Sequence, residues 1–598
     1  MSFAMEKIKP WHLCAFLVLI TFCIYLPSVL TNDFVHLDDA LLITRNPAVQ
    51  QISFWSLKEI FTTFDPELYV PLTLFTYQIE HAMFGLNPVV FHLTNLILHV
   101  ANAVLVFWIL FVLSQKRRIA FLGAMLFALH PIQTEAVVWA AARKDVLSAF
   151  FFLGSFLTFL LHRRDHVQKF YRWSIALFFL GLLSKVSILM MPILLFLLDW
   201  KDRRPLTRAS IQEKIPYLAL SVVFGIVAIV GKTQNLASTD LLTTLLLMSK
   251  SILHYLWKLM FPLHLTAIYT QEAPVTLASE AFQASVAGVI LLLFLTMLLA
   301  RRSRTVAFGI GFFLLMLLPS GTNFLKNEFL FFASDRYIYL ASMGLFFLIA
   351  LAVDRLCASS KKIVAIGAQV CSVLIVTIFA GLSVAQARTW RDSIALYEQS
   401  LRFYPRFVLV WNNLGDYHMQ TGNFAKAQEM FEHAVALDPT LIVIQTNLGN
   451  AYRENNRFDR AIATFEAVIH RIEAKEHPGP AELGAYYFLG ELLDQMGKRE
   501  ESLRQFERAI AKGPDFAETY FNLGLQHQKH GDPVRAEEAF RKAIAVDAIY
   551  ARAHYHLAAV LAEQGKIAEA ILELEESLRI DPHQEKAREH LENLRSMR

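Results

Sequence analysis

Apolar residues dominate the first 388 positions and then give way to a shorter, helical alternation. Eleven apolar runs stand at about 11–30, 89–113, 119–139, 145–162, 172–184, 186–199, 215–231, 281–300, 305–319, 336–353 and 363–385. About 20 apolar residues cross a bilayer as a helix, so these runs predict a multi-span membrane domain over 1–388. The 172–184 and 186–199 runs are short and also suit one bent hairpin. The first run follows Lys7 and Lys9 without a small-x-small cleavage site, which predicts a retained anchor.

Basic clusters punctuate the runs at Lys116-Arg117-Arg118, Arg163-Arg164, Arg203-Arg204, Arg301-Arg302 and Lys361-Lys362. Alternation along the eleven runs puts each cluster on the same, cytoplasmic side as the N-terminus. Segment 240–262 would reverse every later loop if it spanned. Its Lys250, His254 and Lys258 recur every four residues on one face, so an amphipathic helix in the outer interface is expected instead. The chain then leaves the membrane on the outer face near Arg388. In a bacterium the C-terminal half would lie in the periplasm; in a eukaryote, in the ER lumen.

From 389 onward the period changes. Asn413-Leu414-Gly415, Asn447-Leu448-Gly449 and Asn522-Leu523-Gly524 resemble one another, and Gly415 to Gly449 and Gly490 to Gly524 are each 34 residues. Phe431, Phe465, Phe506 and Phe540 follow these glycines, with Ala427, Ala461, Ser502, Ala536 and Ala570 at matching places. Pro439, Pro514 and Pro582 close helix pairs. This period and these residue types predict tetratricopeptide repeats over 389–598. The loop His477-Pro478-Gly479-Pro480 lengthens one step. Residues 393–405 read as the second helix of an incomplete repeat, and 583–598 as a capping helix. The fold class is therefore all-α: a membrane helical domain followed by an α-solenoid.

Charge supports the division. Residues 389–598 hold 25 basic and 32 acidic side chains, leaving 31 basic and 20 acidic in the first 388. The basic excess thus lies in membrane loops and gives no reason to expect nucleic acid. Cys14, Cys23, Cys357 and Cys371 sit in or beside apolar runs and predict neither a metal site nor a disulfide framework.

Chemistry is sought among polar residues near the outer surface. Asp38 and Asp39 follow the first span, where a carboxylate can serve as general base or merely cap a turn. His92, Asn95 and His99 lie within the second span and suit interhelical hydrogen bonds. His130 and Glu135 end the third span, and Arg143, Lys144 and Asp145 open the fourth. A divalent metal on His130, Glu135 and Asp145 is conceivable, but the spacing matches no metal pattern, so no cofactor is expected. Asp335, Arg336 and Tyr337 open the tenth span, where Arg336 can clamp a lipid phosphate. Lys185 and the Lys250/His254/Lys258 face are further phosphate candidates. A carboxylate base with several cations suits transfer of a sugar from a polyprenyl-phosphate donor, with inversion, to a hydroxyl.

The chain also resembles the transmembrane and tetratricopeptide-repeat-containing (TMTC-type) protein O-mannosyltransferases and their prokaryotic relatives. The residues carrying this are Asp33-Phe34-Val35-His36-Leu37-Asp38-Asp39, Asn46-Pro47, Pro71-Leu72-Thr73, Gly85-Leu86-Asn87-Pro88, Phe91-His92, His130-Pro131, Thr134-Glu135-Ala136-Val137, Arg143, Asp145-Val146-Leu147-Ser148, Ser184-Lys185, Trp257-Lys258, Pro262-Leu263-His264-Leu265 and Asp335-Arg336-Tyr337. The resemblance implies a GT-C glycosyltransferase fold, a lipid-phosphate-sugar donor, a Ser or Thr acceptor on a protein, and a catalytic acid at Asp38 or Asp39. The chain departs from relatives at Val70, where they often have Arg, and at Val186, where they often have an acidic residue or Pro. Two other classes remain open: a non-catalytic membrane scaffold whose repeats assemble partners, and a glycan ligase of the O-antigen type. The late outer loop at about 320–335 is short for the ligase.

Overall fold

The computed structural model describes residues 8–64, 68–233, 240–271, 274–326, 329–476, 478–581 and 584–596. Lys7, His477 and Pro582, which enter the readings above, lie outside the described residues. Two compact units emerge, 1–405 and 406–598. The division falls after Pro405 rather than at Arg388, for a reason given below.

In the first unit, helices of ten or more residues are α1 (Pro10–Val29), α2 (Pro71–Phe84), α3 (Pro88–Ser114), α4 (Arg117–Leu129), α5 (Arg143–Asp165), α6 (Gln168–Ser184), α7 (Met191–Lys201), α8 (Ile215–Thr233), α9 (Leu241–Met260), α10 (Glu280–Arg302), α11 (Arg304–Leu317), α12 (Ser342–Cys357), α13 (Lys362–Arg388) and α14 (Ser393–Phe403). Each of the eleven apolar runs contains a helix, with breaks inside 119–139, 186–199 and 336–353. Among the described residues seven helical segments are long and apolar enough to cross a membrane. An eighth crossing arises if α4 and Pro131–Val138, bent by 53°, count together. Pro131 causes that bend, because the residue before a proline is driven out of the helical region. His130 accordingly sits at ψ 131°, and its Nδ1 accepts the Ile132 N–H. The expected count of about eleven is reduced because α6, α7 and α12 span only 17, 11 and 16 residues.

Ion pairs sort the turns into two ends. At one end Arg117 reaches the Ile8 carbonyl (3.2 Å), Lys116 and Arg118 pair with Asp354 (2.7 and 3.3 Å), and Arg163 pairs with Asp199 and Asp202 (3.2 and 3.3 Å). Lys214 reaches Asp199 at 2.6 Å, and Arg304 donates to the Trp200 carbonyl at 2.8 Å. Basic residues at 116–118, 163, 214 and 304 thus gather, with the start of α1, at one end. α6 leaves this end and α7 returns to it, with Lys185 to Met190 forming the far turn.

The other end carries the loops. α9 packs here through its C-terminal half: Tyr255 donates to the Ser334 carbonyl (2.8 Å), and His130 bonds the Leu259 carbonyl (3.1 Å). A small antiparallel sheet sits beside it, β1 (Tyr269–Thr270), β2 (Leu325–Lys326) and β3 (Phe329–Ala333), in the order β1-β3-β2. α14 also packs here, its Ser400 hydroxyl 3.1 Å from that of Thr266. This is why the unit runs to Pro405, and why 393–405 is not a partial repeat.

The second unit contains five helix pairs: Val408–Gln420 with Phe424–Leu437, Ile442–Glu454 with Phe458–Glu473, Gly484–Gln495 with Arg499–Lys512, Ala517–Lys529 with Pro533–Val546, and Ala551–Glu563 with Ile567–Ile580. The 34-residue period works through one contact. A Cβ on Gly415, Gly449, Gly490 or Gly524 would stand 2.5–2.8 Å from ring atoms of Phe431, Phe465, Phe506 or Phe540, sixteen residues later in each case. Only a missing side chain lets the two helices of a pair approach around that ring. Glu585–Ser596 packs Ala587 and Leu591 into the last cluster.

Candidate active site

The site grows from the loop after α1. Four contacts from the end of α13 through α14 hold that loop: Asn32 Nδ2 donates to the Ala387 carbonyl (3.4 Å), Asp33 N–H to the Arg391 carbonyl (2.8 Å), His36 N–H to Ser393 Oγ (2.8 Å), and Tyr397 OH to the His36 carbonyl. The two aspartates that follow face different surroundings. Asp39 is buried; its Oδ2 accepts the Val35 N–H and its Oδ1 the Ala141 N–H, both at 2.8 Å. Burial pushes its carboxyl up to about 7, opposed by those two backbone donors and raised further by the charge of Asp38. Asp39 therefore ties the loop to Ala141. Asp38 keeps a third of its side chain exposed and places Oδ2 3.4 Å from Lys144 Nζ.

Consecutive residues at the start of α5 diverge because helix positions step by about 100°. Arg143 points inward and is fully buried, with Nη1 2.6 Å from Glu80, Nε donating to Asn95 (2.9 Å) and Nη2 to the Phe91 carbonyl (2.7 Å). It holds α2, α3 and α5 together. Lys144 faces Asp38 and lies 5.4 Å from the Trp139 ring. Asp145 binds Lys185. Lys185 is extended (φ −165°, ψ 130°), which ends α6 and carries its ammonium to 5.6 Å from the Tyr337 ring.

The fourth segment brings Arg336. Its Nη1 is 2.5 Å from Glu135 Oε1, and its guanidinium lies 4.9 Å from the Trp139 ring and 5.0 Å from that of Tyr337. Ser334 Oγ donates to the same Glu135 oxygen at 2.8 Å. Asp335 turns away and accepts from Tyr269 OH at 3.0 Å. Asp145, Ser148, Lys185, Ser187, Arg336 and Tyr337 line a cavity of about 40 Å³. That is room for a few waters. Asp145 Oδ2 in its wall, and Glu135 Oε2 beside Arg336, are buried without a hydrogen-bonding partner. Lys144, Lys185, Arg336, Asp38 and Asp145 act on one another electrostatically, so cations and acids form one cluster.

Three expected phosphate ligands stand elsewhere. Lys250 donates to Gln271 Oε1 (2.6 Å) and lies 3.8 Å from the Phe332 ring. His254 packs its ring 4.5 Å from Tyr269 and 5.2 Å from Phe332. Lys258 donates to the Leu263 and His264 carbonyls at 2.6 and 3.0 Å. Their face of α9 turns onto the β1–β3 pair and the loop before it, outside the cavity. His130 is buried with both ring nitrogens engaged, and no cluster of metal-ligating side chains occurs among the described residues. In α3, Asn95 donates to the Trp139 carbonyl (2.8 Å), His99 bonds Tyr339 OH (2.8 Å) and the Ala128 carbonyl (3.0 Å), and His92 packs 6.4 Å from Phe34. Sequence reasoning did not single out Lys144, Trp139 or Tyr397 as site residues. Only the run Arg143-Lys144-Asp145 at the mouth of a span signalled Lys144.

Comparison with known proteins adds a family context. The tetratricopeptide repeat family matches residues 406–469, 446–515 and 521–585. The chain is similar to the Mus musculus protein O-mannosyl-transferase TMTC3, at 25% identity over 61% of this chain and 44% of that protein. A Caenorhabditis elegans protein O-mannosyl-transferase is 25% identical over 65% of this chain and 57% of its own length. Homo sapiens TMTC1, also named a protein O-mannosyl-transferase, is 34% identical over 23% of this chain and 17% of its own length. The chain thus spans between about a sixth and somewhat over half of these relatives. Among solved structures, a MamA protein is 22% identical, covering 30% of this chain and 94% of that one with a TM-score of 0.24. The TPR protein YrrB is 18% identical, covering 32% and 96% with a TM-score of 0.23. The chain is thus similar over part of its length to TMTC-type protein O-mannosyl-transferases and carries a tetratricopeptide-repeat array.

Proposed function

We propose that the chain is a membrane glycosyltransferase that moves a sugar, mannose by analogy with its relatives' names, from a polyprenyl-phosphate donor to a protein hydroxyl. The reaction occurs at the aspartate end of the membrane unit, on the outer or lumenal face. The carrying observation is the convergence of Lys185 and Arg336 on one cavity, with the Lys144–Asp38 pair acting electrostatically on both, and each cation with its own acid.

The chemistry follows from that arrangement. Asp38 accepts the proton of a Ser or Thr hydroxyl as its oxygen bonds to C1 of the sugar. The bond from C1 to the phosphate oxygen breaks on the opposite side, so the anomeric centre inverts and lipid phosphate departs. Negative charge grows on the phosphate, where Lys185 and Arg336 stabilise it more in the transition state than in the ground state. A cavity of about 40 Å³ is too small for a sugar phosphate, so the donor enters by parting Lys185 from Asp145 and taking over as counter-ion. Asp39 and Arg143 position the loop and α5. The membrane unit acts on the donor, and the repeats hold the acceptor protein.

The test is transfer by the purified full chain in proteoliposomes, with polyprenyl-phosphate-mannose and a Ser/Thr-rich acceptor protein. Product of inverted anomeric configuration is expected. Retained configuration would overturn the single displacement. No transfer from any polyprenyl-phosphate hexose would favour the scaffold.

A further inference from the structure

A wide groove parts α13 from the body of the membrane unit. The most apolar window of α13 has none of its residues buried. Between it and α1, α4 and α12 lies a space of about 720 Å³, walled by Phe16, Phe121, Met125, Val353, Val376 and Gly381 among others. Its few polar lining groups include Ser372 and Thr377, whose hydroxyls bond carbonyls of their own helix. Two of these walls, α1 and α13, are long and apolar enough to be membrane spans, so the groove between them faces hydrocarbon. It shares no lining residue with the cavity beside Asp38.

Length and charge identify the occupant. Along α4 the groove runs from Arg118 to Leu129. At 1.5 Å per residue that is about 17 Å, close to the roughly 15 Å of hydrocarbon in one leaflet. Arg118 marks the end where the basic clusters gather. The elements meeting there bring Lys9, Lys116, Arg117, Arg118, Arg355, Lys361 and Lys362, against Asp354 as the one carboxylate among their described residues. Asp354 takes Lys116 and Arg118, which leaves a strong positive excess at the mouth of an apolar slot.

We propose that this groove is a binding site for one anionic phospholipid, with an acyl chain between α4 and α13 and the phosphate among the cations at the Arg118 end. A zwitterionic lipid fills the slot equally well but gains little from that charge. The site does not depend on the proposed reaction. Bound lipid would splint α13, the span that leads into the clamp on the aspartate loop.

The experiment uses the full chain in detergent, delipidated and then titrated with dioleoylphosphatidylglycerol or dioleoylphosphatidylcholine, with bound lipid counted by native mass spectrometry. Retention of one phosphatidylglycerol, at least tenfold preferred over phosphatidylcholine, is expected. Gly381→Leu fills the groove, and nothing lies within 4 Å of a Cβ there, so the variant should fold. It should retain about tenfold less lipid with an unchanged melting temperature. Lys361→Gln/Lys362→Gln should lower the preference about threefold while leaving the Asp354 pairs intact. Equal retention of both lipids, undiminished retention by Gly381→Leu, or a lipid-free dimer with a second copy's helix cross-linked into the groove would each overturn the assignment.

Discussion

The two ends of the membrane unit use the same ingredients, buried carboxylates against Lys and Arg, but arrange them differently. At the basic end one acid gathers several cations: Asp199 has Lys214, Arg163 and Arg204 nitrogens at 2.6, 3.2 and 3.5 Å on its two oxygens. Those partners sit on neighbouring turns and fasten α5, α7 and α8. At the aspartate end Lys144, Lys185 and Arg336 each meet a different acid, Asp38, Asp145 and Glu135, and Lys185, Asp145 and Arg336 line a cavity. Several cations gathered on one acid hold helices in place; a cation with its own acid can exchange that carboxylate for a substrate anion. That is the pattern expected where charge has to be stabilised during a reaction.

The comparison can be broken most sharply by removing one cation from each end. Lys185→Ala or Arg336→Ala should lower single-turnover transfer by about 10²-fold or more, the scale of losing a transition-state charge partner. Arg163→Gln should leave transfer within about twofold, because Asp199 keeps Lys214 and Arg204, and should cost about 1–3 kcal/mol of stability in a thermal melt. Comparable kinetic losses at both ends would dissolve the distinction.

A smaller effect tests the clamp on the aspartate loop. Tyr397→Phe removes one hydrogen bond to His36, worth about 1 kcal/mol. The expectation is a fivefold to tenfold fall in kcat with KM for the donor unchanged, since Tyr397 touches the loop and not the cavity. A change confined to KM would place Tyr397 in donor binding instead.

A separate effect, on stability, concerns Asp39. A carboxyl raised from 3.8 to about 7 binds its proton more tightly in the folded chain than in the unfolded one. The stability it contributes is therefore complete below about pH 4 and is lost as pH rises through about 7. Melting temperature should fall between pH 5 and 8 in the parent, and Asp39→Asn should flatten that slope. An equal slope in both would remove Asp39 from the account.

Legibility from sequence follows the range of the interactions. The spans and repeats were readable because each depends on local pattern: twenty apolar residues in a row, or a glycine sixteen residues before the phenylalanine it meets. α2 was missed because Gln78, Glu80 and His81 interrupt its apolar face within a stretch that reads as loop. The stripe of Lys250, His254 and Lys258 was correctly placed on one helical face, but its direction depends on Tyr269, Gln271 and Phe332, which only folding brings near. Asp38 and Asp39 are equivalent as letters; the Ala141 N–H, about a hundred residues away, makes one of them a tie and leaves the other open. Lys144 was passed over between Arg143 and Asp145 because direction around α5 gives these three residues three different partners.

The most direct test of the central claim compares Asp38→Asn with the parent chain in single-turnover transfer and, separately, in binding of the lipid-linked donor. The account predicts transfer reduced by about 10²–10⁴-fold with donor affinity and folding unchanged, as loss of a general base requires. Full transfer by a folded Asp38→Asn chain would contradict it.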